Sequence, residues 1–197
     1  MSKFDELREK YPNFIYDDYI LEVKDNELII TYKFVIENLE TFKPILKIPL
    51  DNIKININDS MLKKIIFNLG MVEVVSYLKC TCSKNVIIKA GFINEEQINF
   101  FKKLYYNGLG EFLYLNKIDI DMEDLFDITC EVKEEDCVIP TYEGTGNLIA
   151  IGGGKDSCVR LELLKDEHDT NTCFIINPKK VTLDCAKKAN YNDNSII

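Results

Sequence analysis

Histidine is almost missing from this chain of 197 residues: His168 is the only one, set among Asp, Glu and Thr where it reads as a surface residue. A zinc site would fall to the cysteines, at 80, 82, 130, 137, 158, 173 and 185. The closest pair, Cys80-Thr-Cys82, lacks the two-residue gap of a zinc knuckle, so no structural zinc is expected. An odd cysteine count behind a charged start, MSKFDELREK, with no long apolar segment argues for reduced thiols, no signal peptide and a cytoplasmic protein. Long hydrophobic runs are also missing; none approaches the roughly 18 to 20 residues that span a bilayer, so no membrane partner is expected. Basic clusters are missing too. The net charge is −9, and Lys179-Lys180 and Lys187-Lys188 are only short pairs. That balance argues against nucleic acid as the main partner. There are no internal repeats and no low-complexity tracts.

What is present is a globular composition, 46% apolar and 29% charged. The first half reads as strands, then helices. Segments 19–24 and 27–36, rich in Tyr, Ile, Val and Phe, flank the polar pair Asp25-Asn26 and predict a hairpin. Residues 45–48, between Pro44 and Pro49, predict an edge strand. Ile53, Ile55 and Ile57 alternate with polar residues and predict a further strand. From Asp59 the period becomes helical: Leu62, Ile65, Ile66, Leu69 and Val72 form the expected inner face of a helix over 60–78, capped by Asp59 or Ser60. A second helix follows Asn94, with Gln97 placed for a capping box and Ile98, Phe101, Tyr105 and Leu109 on its apolar face. Gly108 and Gly110 end it or let another backbone approach.

Residues 119–145 carry Asp119, Asp121, Glu123, Asp124, Asp127, Glu131, Glu134, Glu135 and Asp136. They lack the ligand order and central glycine of an EF-hand and read as a solvated linker, with a cation or cationic partner site as the alternative. Pro140, Gly144 and Gly146 place a domain boundary here. Beyond it come a buried strand over 148–151, a glycine turn, a helix, a second strand over 173–176, and a helix opened by Asn177 as cap and Pro178 as first residue. Val181, Cys185 and Ala189 are the expected inner face of that last helix. Residues 195–197 read as the opening of a third strand. Two strands and two helices are too few for a stable doubly wound sheet. The preferred reading is therefore the front part of a longer protein. The fold class is α/β: an α+β part with antiparallel strands over 1–143, then the start of a parallel-sheet α/β domain over 144–197.

The turn itself is Gly152-Gly153-Gly154-Lys155-Asp156-Ser157. Glycines admit backbone amides to a phosphate, and the following helix points its free N–H groups at the same place. Lys155 adds charge and Ser157 a hydroxyl. Asp156 suits a phosphate only with a cation between them, and Mg²⁺ is the hard ion that prefers both oxygens. GxGxxG fails because residue 157 is serine, and the Walker pattern fails because Asp156 follows Lys155. A tight corner between strand and helix is the plain alternative.

These six residues resemble the SGGxDS pyrophosphate loop (PP-loop) of the N-type ATP pyrophosphatases, with Gly152 in place of the first serine. A narrower resemblance adds Ser76-Tyr77-Leu78-Lys79 and Tyr105-Tyr106-Asn107-Gly108-Leu109-Gly110-Glu111-Phe112 upstream. In this order, over residues 75–180, the pieces are similar to those of the UDP-N-acetylmuramoyl-L-alanyl-L-glutamate epimerase family. The resemblance implies ATP and Mg²⁺ as cofactors, with residues 152–157 on the phosphates, Asp156 on the metal, and Ile176 and Asn177 near the adenine. It implies a small peptidoglycan-precursor substrate whose terminal L-Glu becomes D-Glu through carboxyl adenylation, with release of AMP and pyrophosphate. Glu111 is the candidate base, and Tyr77 and Lys79 are candidate substrate contacts. A core tyrosine, a solvated lysine and a helix-end carboxylate are the plain readings of the same three. Family members are much longer, so this chain alone is expected to be a partial site. Other readings are a different adenylating enzyme, for tRNA modification or amide formation, and a non-catalytic interaction module.

Overall fold

The computed structural model describes residues 2–50, 53–134 and 144–192. The chain forms two compact units, Met1–Ile139 and Pro140–Ile197. Among the described residues, no helix is long and apolar enough to cross a membrane.

The first unit is built on the hairpin of β1 (Asn13–Lys24) and β2 (Glu27–Ile36). Asp25 and Asn26 both take positive φ, 53° and 61°, which matches the turn to the twist of its strands. Along β2 every second residue is buried: Leu28, Ile30, Tyr32, Phe34 and Ile36. The free edge of β2 is shared by two short antiparallel strands, β3 (Glu40–Phe42) and β4 (Ile45–Pro49). On the other side β5 (Asn85–Ile88) runs parallel to β1, and β6 (Asp127–Cys130) runs parallel to β5. The sheet is therefore mixed, and strands and helices interleave along the chain. The expected order of strands first and helices second is corrected: β5 is a four-residue strand with no long alternation to announce it.

Helix α1 (Lys3–Lys10) is held by a Ser2–Asp5 capping box. Helix α2 (Ser60–Leu78) is capped by Asp59, whose carboxylate accepts the Leu62 amide at 2.8 Å. Its buried residues are Ile66, Phe67, Gly70, Met71, Val74 and Leu78. This rotates the inner face away from the expected stripe: Ile65, Leu69 and Val72 are exposed. The reason is a close approach at Gly70, where a Cβ would stand 2.7 Å from Tyr16 Cζ and 2.7 Å from Tyr32 Cε1. The two buried tyrosines reach past it, and Tyr32 Oη donates to the Ile66 carbonyl at 3.1 Å. Helix α3 (Glu95–Gly108) has the expected Asn94–Gln97 capping box and buries Phe101 and Tyr105. Tyr105 Oη donates to the Met71 carbonyl at 2.7 Å and so ties α3 to α2.

Two further expectations are corrected here. Residues 53–56 form no strand, because β2 already spends its edge on β3 and β4; Ile53 is exposed, while Ile55 and Ile57 lean on the core. Residues 119–134 are not a plain linker. After the six-residue helix α4 (Gly110–Leu115), they contribute α5 (Met122–Leu125) and β6, with Leu125, Phe126 and Ile128 buried in the main core. The acidic side chains face water, but the apolar residues between them complete the sheet.

The second unit pairs β7 (Leu148–Ala150) with β8 (Thr172–Phe174) in parallel. Helix α6 (Lys155–Leu163) and a 3-10 segment, Lys165–Thr170, join them, and α7 (Lys180–Lys188) follows. Ile149, Ile151, Leu161, Cys173, Ile175, Ala186 and Tyr191 form its core. His168 is partly covered, stacked on Tyr191 at 4.2 Å between centroids. Helix α7 starts later than its sequence suggests. Asn177 adopts φ +50°, outside helical space, and Lys179 is the cap. That shift turns Thr182 and Ala186 inward, leaves Val181 exposed, and moves the buried face one residue on from the expected one. Residues 195–197 lie outside the described residues.

Candidate functional site

The glycine turn begins where β7 ends. The Ile151 amide still donates to the Phe174 carbonyl at 2.9 Å, and the chain then leaves the sheet. Gly153 takes φ +79°, and a Cβ on it would meet the Thr182 backbone nitrogen at 3.3 Å. The positive φ favours glycine there, and the Thr182 contact leaves a side chain little room. Ser157 is 4% exposed, and its Oγ accepts the Gly152 amide at 3.0 Å, fastening the entrance of the loop to the first turn of α6. Gly154 caps α6 with no side-chain hydrogen bond, so the leading amides have no side chain over them. Beside Gly152 and Gly154, a Cβ would meet nothing within 4 Å. These residues open on a cavity of about 400 Å³ lined by Gly152, Gly154, Lys155, Asp156, Ser157 and Arg160.

Residues 152 and 154–157 are thus brought together in one cradle, while Gly153 packs on Thr182. Arg160 belongs with them and was missed. Its spacing from Asp156, one helical turn, is the signal that could have found it. Ile176 and Asn177 leave the carboxyl end of β8, level with the start of the loop in the Ala150–Phe174 register. Both are exposed. Between α6 and α7, Cys158 and Cys185 hold their sulfurs 3.7 Å apart; burial and this contact push the Cys185 thiol up. Among the described residues no group of three metal-ligating side chains exists, so a metal here would rest on Asp156 and on ligand oxygens. One carboxylate plus phosphate oxygens is an ordinary set for Mg²⁺.

The upstream motif pieces meet in the first unit. Leu109 breaks the helix between α3 and α4 at φ −95°, ψ 2°. The break faces the last turn of α2, and Ser76, Lys79, Gly108, Glu111, Phe112 and their neighbours line one cavity of about 430 Å³. Lys79 and Glu111, thirty-two positions apart in the chain, therefore share a pocket. Tyr77 does not join them. Its ring packs on Phe34 at 5.1 Å and Phe42 at 4.9 Å, and burial raises its hydroxyl pKa.

Fold and loop together define a mixed α/β protein that presents a glycine-rich loop between a parallel strand and a helix. The chain belongs to the MurL N-terminal domain family, which it matches over residues 5–196. It is similar to the UDP-N-acetyl-alpha-D-muramoyl-L-alanyl-L-glutamate epimerase of Xanthomonas oryzae pv. oryzae (strain MAFF 311018), at 28% identity over 120 residues. That match covers 61% of this chain and 26% of the relative, so the chain spans about a quarter of the relative's length. No solved structure matches the chain.

Proposed function

We propose that this chain is the front part of an ATP-dependent epimerase that converts the terminal L-Glu of UDP-N-acetylmuramoyl-L-Ala-L-Glu to D-Glu, with the glycine loop holding ATP. The observation that carries the reading is the cradle: two glycines with open space where side chains would stand, at the head of an uncapped helix. Such a place accepts phosphate oxygens on backbone amides. Lys155 and Arg160 add positive charge, and Asp156 is the residue for Mg²⁺.

The chemistry explains the need for ATP. The α-proton of glutamate is weakly acidic because its removal builds negative charge beside a carboxylate. ATP, as co-substrate, would pass its adenylyl group to the carboxylate with loss of pyrophosphate, which masks that charge until water releases AMP and restores the carboxylate. A base then takes the α-proton, and its return from the other face inverts the centre. Glu111 is the carboxylate proposed for that base, with Lys79 in the same pocket to hold the substrate's own anionic end.

Calorimetric titration of the chain with ATP and Mg²⁺ tests the cradle. Asp156→Ala is expected to weaken ATP–Mg²⁺ binding by about tenfold or more, as removal of a metal-bridging carboxylate should. An unchanged Kd in that variant rules out the loop as the ATP–Mg²⁺ site.

A further inference from the structure

A different pocket of the first unit stands apart in this acidic chain. Its volume is about 330 Å³, within the range of small-ligand sites. It opens where parallel strands end: Lys89 follows β5, and the first turns of α2 supply Lys63 and Lys64. Ligands of open α/β sheets bind beyond the carboxyl ends of their strands. Among the described residues three lysines line it and no carboxylate does, although Asp and Glu outnumber Lys and Arg by 33 to 24 in the chain. Among the described residues, Lys63 and Lys64 make no ion pair. Lys89 has only a loose one, 3.7 Å from Glu131.

The rest of the lining mixes three aromatic residues with Asn58, Ser60, Ala90, Gly91 and Val132. Tyr19, Phe67 and Phe92 supply apolar wall. Phe67, itself only 4% exposed, backs this wall and stacks on the buried Tyr16 at 5.6 Å. The Tyr19 hydroxyl donates to the Lys63 carbonyl at 3.2 Å, which fixes the wall to the turn that bears the lysines. Concentrated positive charge beside flat apolar surface suits a ligand with vicinal phosphates and a ring.

We propose that this pocket binds a nucleoside diphosphate, with Lys63, Lys64 and Lys89 on the phosphates and the aromatic wall against the base. The choice of uridine diphosphate, as the head of the precursor, rests on the function proposed above; the preference for a diphosphate rests on the pocket itself. Its residues belong to the first unit, and those of the glycine loop proposed for ATP to the second.

Titration of the chain with UDP, followed by calorimetry and by amide chemical shifts, tests it. UDP is expected to bind and to shift amides around residues 60–67 and 89–92. Affinity should fall from UDP to UMP to uridine. Lys63→Ala and Lys64→Ala should each weaken UDP binding by about tenfold, the loss of one charge-assisted phosphate contact. Both lysines are exposed, so the melting temperature should hold and serve as the folding control. Three results overturn the proposal: no UDP binding, full affinity in the Lys63→Ala/Lys64→Ala double variant, or loss of UDP binding in Asp156→Ala. The dipeptide L-Ala-L-Glu shifting these amides where UDP does not would also overturn it. Failure of ATP to bind while UDP binds through the lysines would remove the ATP reading alone.

Discussion

The two units solve the burial problem in different ways. The first packs a six-stranded mixed sheet under α2 and α3, and its centre is dry and aromatic: Phe14, Tyr16, Phe34 and Tyr105 are each 0% exposed. The second has two strands and seven core residues among those described, and leaves Leu148, Leu163 and Ile176 in water. What it lacks in apolar burial it partly replaces with a polar hub. Asn171, 4% exposed, donates to the Leu164 carbonyl at 2.8 Å and to Tyr191 Oη at 3.0 Å, and accepts from Asn147 at 2.8 Å. A large core tolerates functional pockets at its rim. A small one holds its loop by hydrogen bonds and close backbone contacts, so the same residues serve fold and site.

The largest effect should come from the dry core. Phe34 lies within ring contact of Phe14, Tyr16, Tyr32 and Tyr77, at 6.0, 5.1, 5.9 and 5.1 Å. Phe34→Ala should cost about 4 kcal/mol, the transfer and cavity terms of a fully buried ring. Hydrogen exchange resolved by peptide should show protection lost across β1, β2 and α2 but kept in β7 and α6. Equal loss in both units would break the contrast and make them one cooperative block.

The polar hub comes next. Asn171→Ala leaves the Leu164 carbonyl, Tyr191 Oη and the Asn147 amide without their shared partner. The expected cost is about 2 kcal/mol, typical of stripping buried groups of their bonds. Here exchange should quicken in α6, β8 and α7 and stay unchanged in the first unit. A loss no larger than an exposed Asn gives would show that the second unit does not depend on its hub.

The contrast also explains what the sequence could disclose. The hairpin, the Asp59 cap of α2, the Asn94–Gln97 capping box of α3, and the strand–loop–helix order at the glycines were legible because they depend on neighbours in the chain. Faces were not. The stripe of Ile65, Leu69 and Val72 looks as apolar as the one buried, and only the fit of Gly70 against Tyr16 and Tyr32 decides between them. Residues 119–134 hid a strand because their charges outnumber their core residues. In the site, the six loop residues were legible as a contiguous motif. Lys79 and Glu111 were singled out only through resemblance, and neither their shared cavity nor the lysine pocket was legible, since each joins distant segments.

The smallest effects separate fold from site within the loop. Gly153→Ala places a methyl group 3.3 Å from Thr182 Cγ2 and from its backbone nitrogen, at φ +79°. It should cost about 1 kcal/mol, seen as a lower unfolding midpoint of the second unit. Gly152→Ala and Gly154→Ala meet nothing within 4 Å, and neither backbone has positive φ. Their stability should stay within about 0.5 kcal/mol of the parent, the usual range for an open surface position. Their methyl groups, however, stand in the cavity proposed for phosphate, so ATP affinity should drop with no change in midpoint. Position 153 then reports on packing and positions 152 and 154 on ligand. If all three lower the midpoint alike and none changes ATP affinity, the glycines serve only the corner, and the small unit has no cradle distinct from its fold.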